Sequence, residues 1–187
     1  MIILASQSPR RKELMSEDIT SSFSIVVSDV DESVDPSLSP LEAVQIIAKR
    51  KGEKVFHMYP NDTVISADTI VVIDNHIIGK PKDEEDAKRI LHLLSRRMHE
   101  VITAYCIFNK DKVVENHVKS HVFFNNLDDE LINEYVASGS PMDKAGAYGA
   151  QDNNDFRLIH KIEGSHKNVI GFPSEEILFD LKKEKLI

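Results

Sequence analysis

A chain of 187 residues, 41% hydrophobic and 29% charged, is long enough for one domain with a sizeable core and too apolar to be disordered. No apolar run approaches the roughly 20 residues of a membrane-spanning helix, and Met1-Ile2-Ile3-Leu4-Ala5 has neither the basic flank nor the length of a secretory signal. A formal net charge of −8 argues against a general nucleic-acid binder but leaves room for a local pocket of a few cations.

Ile2 to Ala5 reads as a short buried strand, and Pro9, with Ser8 as its cap, opens a helix running to about Ser16. Phe23 to Val27 is the next strand and ends in an acidic corner, Asp29-Val30-Asp31-Glu32. Ser39-Pro40-Leu41-Glu42 combines an N-cap, a helix-first proline and a capping-box glutamate, which predicts a helix to about His57. Lys49, Arg50, Lys51 and Lys54 near its end suit a solvated terminus that complements the helix dipole. Thr63 to Ala67 and Ile70 to Ile73 flank Asp68-Thr69 as one long β-rich stretch, and Asp74-Asn75 turns the chain back into Ile77-Ile78. After the loop Gly79-Lys80-Pro81-Lys82-Asp83 a helix runs to about Arg96. Strands Glu100 to Phe108 and Val113 to Phe124 then pair around Asn109 to Lys112 as a hairpin. Asp128 caps a helix to about Ala137. Ser138 to Asn154 is irregular, Arg157 to Ile162 is the last strand, and a helix follows Pro173. The order is that of an α/β domain with a mixed, twisted sheet flanked by helices; the hairpins exclude an all-parallel sheet.

Four segments carry chemistry. In Ser6-Gln7-Ser8-Pro9-Arg10-Arg11 a strand ends and a helix begins, so free amides, two hydroxyls and two guanidiniums could meet an anion; a plain helix cap with surface arginines fits equally well. Asp68, between β-branched runs, is costly to bury without a partner or a task, and a general base or metal ligand would explain it better than a strand-edge aspartate. Asp31-Glu32 suits a divalent cation that also meets phosphate, and Lys80 between Gly79 and Pro81 suits a single phosphate contact. Taken alone, each reads more simply as a solvated turn or loop. The eight histidines lack metal-site spacing, His117 and His121 falling at surface positions of a strand, and no Walker A, dinucleotide or nucleophile-elbow motif occurs. The single cysteine, Cys106, sits mid-strand as a buried thiol; with no internal disulfide, the chain suits a reducing, cytoplasmic compartment.

Together and in this order these segments resemble the Maf family of nucleoside triphosphate pyrophosphatases. The resemblance rests on five stretches, Leu4 to Arg11, Ala67 to Val71, Gly79 to Pro81, Asp143 to Gly149 and Gly164 to Pro173, which span nearly the whole chain. It implies a single domain over residues 1–187, with two α/β lobes around a central cleft. It implies cleavage of a nucleoside triphosphate to the monophosphate and pyrophosphate, as house-cleaning of the nucleotide pool, with a divalent metal, Mg2+ or Mn2+. By the same resemblance Asp68 is the general base, and Arg10, Thr69 and Gln151 match positions that affect substrate choice. Ser8, Arg11, Lys51 and Lys80 match phosphate positions, with Lys49 and Arg50 standing in for Lys51 if the helix register slips. Glu32, with Asp68, matches the metal site. The stretch Asp143 to Gln151 resembles the branch acting on dTTP and UTP, and an amide at Gln151 can pair with a pyrimidine's carbonyl and imide N–H. His166-Lys167 and Phe172 depart from the family pattern. The alternatives are the 7-methyl-GTP branch and a non-catalytic nucleotide-binding regulator of cell division. A homodimer follows only by analogy, and neither a nucleic-acid nor a membrane partner is expected.

Overall fold

The computed structural model describes residues 1–187. The chain divides into two compact units. The first comprises Met1–Thr69, Thr103–Val118 and Gly171–Ile187; the second comprises Ile70–Ile102 and Lys119–Ile170. Seven strands hydrogen-bond in the order β2-β1-β3-β5-β6-β7, with β4 against β3. These are β1 (Ile2–Leu4), β2 (Ser24–Ile25), β3 (Thr63–Ile73), β4 (His76–Ile78), β5 (Met98–Asn109), β6 (Lys112–Phe124) and β7 (Ile159–Glu163).

In the first unit β1 runs parallel to both β2 and β3, pairing Ile3 with Ser24 and Val64. Helices α1 (Pro9–Leu14), α2 (Pro40–Met58) and α7 (Ser174–Lys183) belong to this unit. Ile3, Leu4, Met15, Val44, Ala48, Val55, Ile65, Tyr105, Ile107, Phe172, Ile177 and Leu181 are among its buried side chains. The predicted capping box is present: Ser39 Oγ accepts from the Glu42 amide, while the Glu42 carboxylate accepts from the Ser39 amide.

Two expectations change here. Only Ser24–Ile25 of the predicted strand forms a ladder, because its partner β1 is itself three residues long; the Val26 amide adds one last bond to Leu4 and Val27 lies exposed. The first helix continues past Ser16. Met15–Ile19 winds as a π-helix, closed by the Thr20 amide on the Met15 carbonyl at 2.9 Å. This wider turn carries Asp18, whose carboxylate accepts from the Ser174 hydroxyl at the start of α7.

In the second unit the last residues of β3 pair antiparallel with β4, and β6 pairs antiparallel with β7. The Asp74-Asn75 turn has positive φ at both residues, 50° and 61°, the conformation of a type I′ hairpin. Helices α3 (Glu84–Leu94), α4 (Asp129–Ala137), α5 (Asn153–Phe156) and α6 (His166–Ile170) surround a core of Val71, Ile90, Leu91, Leu94, Val122, Tyr135, Tyr148 and Leu158. The irregular stretch after Ala137 resolves into three short 3-10 turns followed by α5. Helix α6, which no sequence signal announced, is five residues long and held by Asn168, whose amide donates to the Val101 carbonyl and the Ser120 hydroxyl, both at 3.0 Å. No helix is long and apolar enough to cross a membrane.

Candidate active site

Asp68 and Thr69 lie within β3, where the burial pattern relaxes from fully to partly buried for these two residues alone. Both fall in the first unit, with Ser8, Arg10, Arg11, Glu32 and Lys51.

Asp68 meets a lysine. Lys51 Nζ lies 2.6 Å from Asp68 Oδ1 and 2.9 Å from Glu32 Oε1, so one ammonium joins the two carboxylates that the sequence paired as metal ligands. The side chains of Lys51 and Asp68 are each 14% exposed, whereas that of Glu32 is 59% exposed, so the Lys51–Asp68 bond is the shielded half of the cluster. Asp68 Oδ1 is taken and Oδ2 carries no hydrogen bond from the protein.

The basic run of α2 is exposed at Lys49, Arg50 and Lys54, as a solvated helix end should be, and each of its cations also holds a partner. Arg50 Nη1 donates to the Asp31 carbonyl at 3.1 Å and to the Ser33 carbonyl at 2.5 Å, gripping the chain on both sides of Glu32. Lys54 Nζ holds the Asp29 carbonyl. Lys49 turns away to Glu115 at 2.6 Å, so of the three neighbouring cations it is Lys51 that faces Asp68. Gly52 makes this approach feasible. A Cβ there would stand 2.4 Å from both the Phe108 ring and Ser66 Oγ, so a side chain would hold α2 off the strands.

Arg11 is half-buried and knotted into the fold. Nε donates to the Gly171 carbonyl at 2.9 Å, Nη1 to the Ala67 carbonyl at 2.7 Å and Ser6 Oγ at 3.4 Å, and Nη2 to Thr69 Oγ1 at 3.1 Å. Of a guanidinium's five N–H groups one remains for a ligand. Burial pushes the Arg11 guanidinium down from its ordinary range and the Asp68 carboxylate opposes that, while Arg10 adds to the lowering. Gly171 has φ +118°, a conformation that side chains rarely adopt, and this aims its carbonyl at both Arg11 and Thr69. Ser8 caps α1, its Oγ accepting from the Arg11 amide at 3.5 Å, and Arg10 is partly exposed beside it.

Lys80 and Gln151 belong to the second unit. Lys80 is exposed in the loop after β4, which is fixed by the Gly146 amide on the Gly79 carbonyl at 3.1 Å. Gly146, at φ +74°, lies against Val71, where a Cβ would stand 2.8 Å from a methyl group. Gln151 is exposed in a 3-10 turn clamped on either side. The Gly149 amide donates to Tyr135 Oη at 3.1 Å, and the Asp152 carboxylate accepts from the Tyr135 hydroxyl at 2.6 Å and the Ser140 hydroxyl at 2.7 Å. Sequence reasoning missed Tyr135, Gly52, Gly171 and Thr103, the last of which bonds Thr69. Each acts through a partner distant in the chain, which no local pattern encodes.

Glu32 and Asp68 converge on one positive charge, that of Lys51, and no group of three or more His, Cys, Asp or Glu side chains that could hold a metal ion occurs.

A family model described as Maf-like protein matches residues 1–184. The chain is 42% identical over 182 residues to a protein of Geobacillus sp. (strain WCH70) named dTTP/UTP pyrophosphatase, covering 97% of each chain. A protein of the same name from Bacillus mycoides (strain KBAB4) is 43% identical over 182 residues, covering 97% of this chain and 94% of its own. One from Thermococcus gammatolerans is 44% identical over 177 residues, covering 95% and 93%.

Proposed function

The chain belongs to the Maf family, and from that premise we propose that it is a pyrophosphatase that hydrolyses dTTP and UTP to the monophosphate and pyrophosphate. The observation that carries the chemistry is the Lys51–Asp68–Glu32 cluster, a carboxylate with one oxygen anchored and one open, beside a second carboxylate and a cation.

The Asp68 Oδ2 lone pairs accept a proton from water as its oxygen attacks the α-phosphorus. The bond from the α-phosphorus to the bridging oxygen breaks and pyrophosphate leaves. Lys51 fixes the Asp68 carboxyl plane, so the accepting oxygen is aimed before the substrate arrives. Arg10, the Ser8 hydroxyl and the remaining Arg11 N–H neutralise phosphate charge, and Lys80 does so from its exposed loop. The Gln151 amide matches the donor and acceptor pattern of a pyrimidine edge. Glu32 and Asp68 would hold Mg2+ or Mn2+, which when bound offsets the negative charge of the triphosphate.

The test is pyrophosphate release from a panel of dTTP, UTP, purine triphosphates and 7-methyl-GTP, with Mg2+ and with a chelator. Release is expected from dTTP and UTP and is stopped by chelation. Asp68→Asn keeps the fold and lowers kcat by a factor on the order of 100 to 10,000, the usual worth of a positioned base. Near-normal turnover in Asp68→Asn would remove Asp68 from the reaction, and preference for 7-methyl-GTP would move the chain to another branch.

A further inference from the structure

The Lys51 ammonium stands where a cation shared by two carboxylates would stand, 2.6 Å from Asp68 Oδ1 and 2.9 Å from Glu32 Oε1. It is built into the fold. Its side chain is as well shielded as that of Asp68, each being 14% exposed. Arg50, the residue before it on α2, holds the chain on both sides of Glu32 through the Asp31 and Ser33 carbonyls. Gly52, the residue after it, lets this stretch of the helix sit close against Phe108 and Ser66. One turn of α2 thus places both the ammonium and the backbone that carries Glu32.

The charge here is already balanced. The Asp68 and Glu32 carboxylates both act on the Arg11 guanidinium, so Arg11 and Lys51 set two positive charges against two negative ones. No third His, Cys, Asp or Glu side chain joins the pair to make a metal site. A divalent cation arriving alone would meet a positive charge a few ångströms away. It would exchange firmly held water for only two protein carboxylates, and would compete with an ammonium tethered to the same fold.

We propose that Lys51 is an internal counter-ion that shuts divalent cations out of the Glu32–Asp68 pair in the nucleotide-free protein. A cation enters only when Lys51 is drawn off. An incoming triphosphate supplies both the anion that draws it and the remaining oxygen ligands. That entry step rests on the pyrophosphatase reading; the exclusion itself does not.

The probe is Mn2+ alone, titrated into nucleotide-free protein and followed by the loss of its free-ion paramagnetic resonance signal, with thermal unfolding of the same samples. The wild type is expected to titrate like Asp68→Asn, with no saturable site below the millimolar range. Lys51→Met, which removes the charge and keeps much of the bulk, binds Mn2+ about tenfold or more tightly, because a unit charge beside a divalent ion is worth that much even at high dielectric. The gain disappears in the double variant Lys51→Met/Asp68→Asn. If Lys51→Met is too unstable for the titration, Mn2+ raises its melting temperature and leaves that of the wild type unchanged. Submillimolar binding by the wild type that Asp68→Asn removes, or no gain in Lys51→Met by either measurement, overturns the proposal, and pyrophosphate release from dTTP would still support the function proposed above. Exclusion of Mn2+ by a chain that hydrolyses no triphosphate keeps the counter-ion and removes the pyrophosphatase reading.

Discussion

His99 is sealed inside the second unit with one of its two ring nitrogens bonded. Nε2 lies 2.6 Å from the Tyr148 hydroxyl, while Nδ1 has no partner. The ring stands edge-on to Phe124 and Tyr148, at 5.0 and 5.3 Å between centroids. Burial pushes the imidazole down from 6.5 to about 3, so it stays neutral in the fold at any ordinary pH. Below pH 6.5 the unfolded chain takes up a proton that the fold refuses. The contribution to stability is therefore complete above that pH and is lost as pH falls toward 3. At pH 5 the loss from this residue is about 2 kcal/mol. Urea unfolding at pH 7.5 and 5.0 should show it, and His99→Gln should flatten the difference whatever its overall stability; an undiminished difference would assign the effect elsewhere. The candidate site shows the same division between what a residue's type reveals and what its partners decide. Asp68 stood out because a carboxylate among β-branched residues needs a reason. That Arg11 gives most of its donors to Gly171, Ala67, Ser6 and Thr69 could not be foreseen, since those acceptors are backbone carbonyls and hydroxyls that carry no mark in the sequence.

Helix α2 shows how an element serves the site. Its start was legible from Ser39, Pro40 and Glu42, whose capping interactions are local. The turn at Asp74-Asn75 was legible for a like reason, because few residues accept positive φ twice in succession. The π-helix and helix α6 were not, as both depend on tertiary bonds, Asp18 with Ser174 and Asn168 with Val101 and Ser120. The depth at which α2 packs was also hidden. Gly52, a poor helix residue, lets the helix settle onto Phe108 and Ser66, whose hydroxyl donates to the Ala48 carbonyl at 2.7 Å. Gly52→Ala would gain about 1 kcal/mol of helix preference and lose about 1–3 kcal/mol to overpacking. We expect a net loss in the urea midpoint and a larger fall in kcat/KM for dTTP, because Lys51 is lifted from Asp68. A variant at least as stable as the wild type and fully active would refute this account of the glycine.

At the scale of the whole molecule the chain passes between its two units four times, after Thr69, Ile102, Val118 and Ile170. Three of these passages have as their first-unit residue Thr69, Thr103 or Gly171, the residues bound to one another beside Arg11. Neither unit is a continuous stretch of sequence, so neither can be excised as one fragment, a division that hydrophobic patterning does not mark. The lone thiol adds a consequence. Cys106 is 2% exposed, and burial pushes it up to about 12, with Glu115 adding to the effect. In the folded protein it is both shielded and protonated near neutral pH, so an alkylating reagent reacts only through opening. One stoichiometric label then becomes a clock. Its incorporation at pH 8, compared with that of the denatured chain, should be slower by orders of magnitude and should accelerate in Gly52→Ala in proportion to the stability lost. Rapid labelling of the folded wild type would mean that the first unit breathes around β5. Slow labelling gives a readout of native opening without any engineered probe.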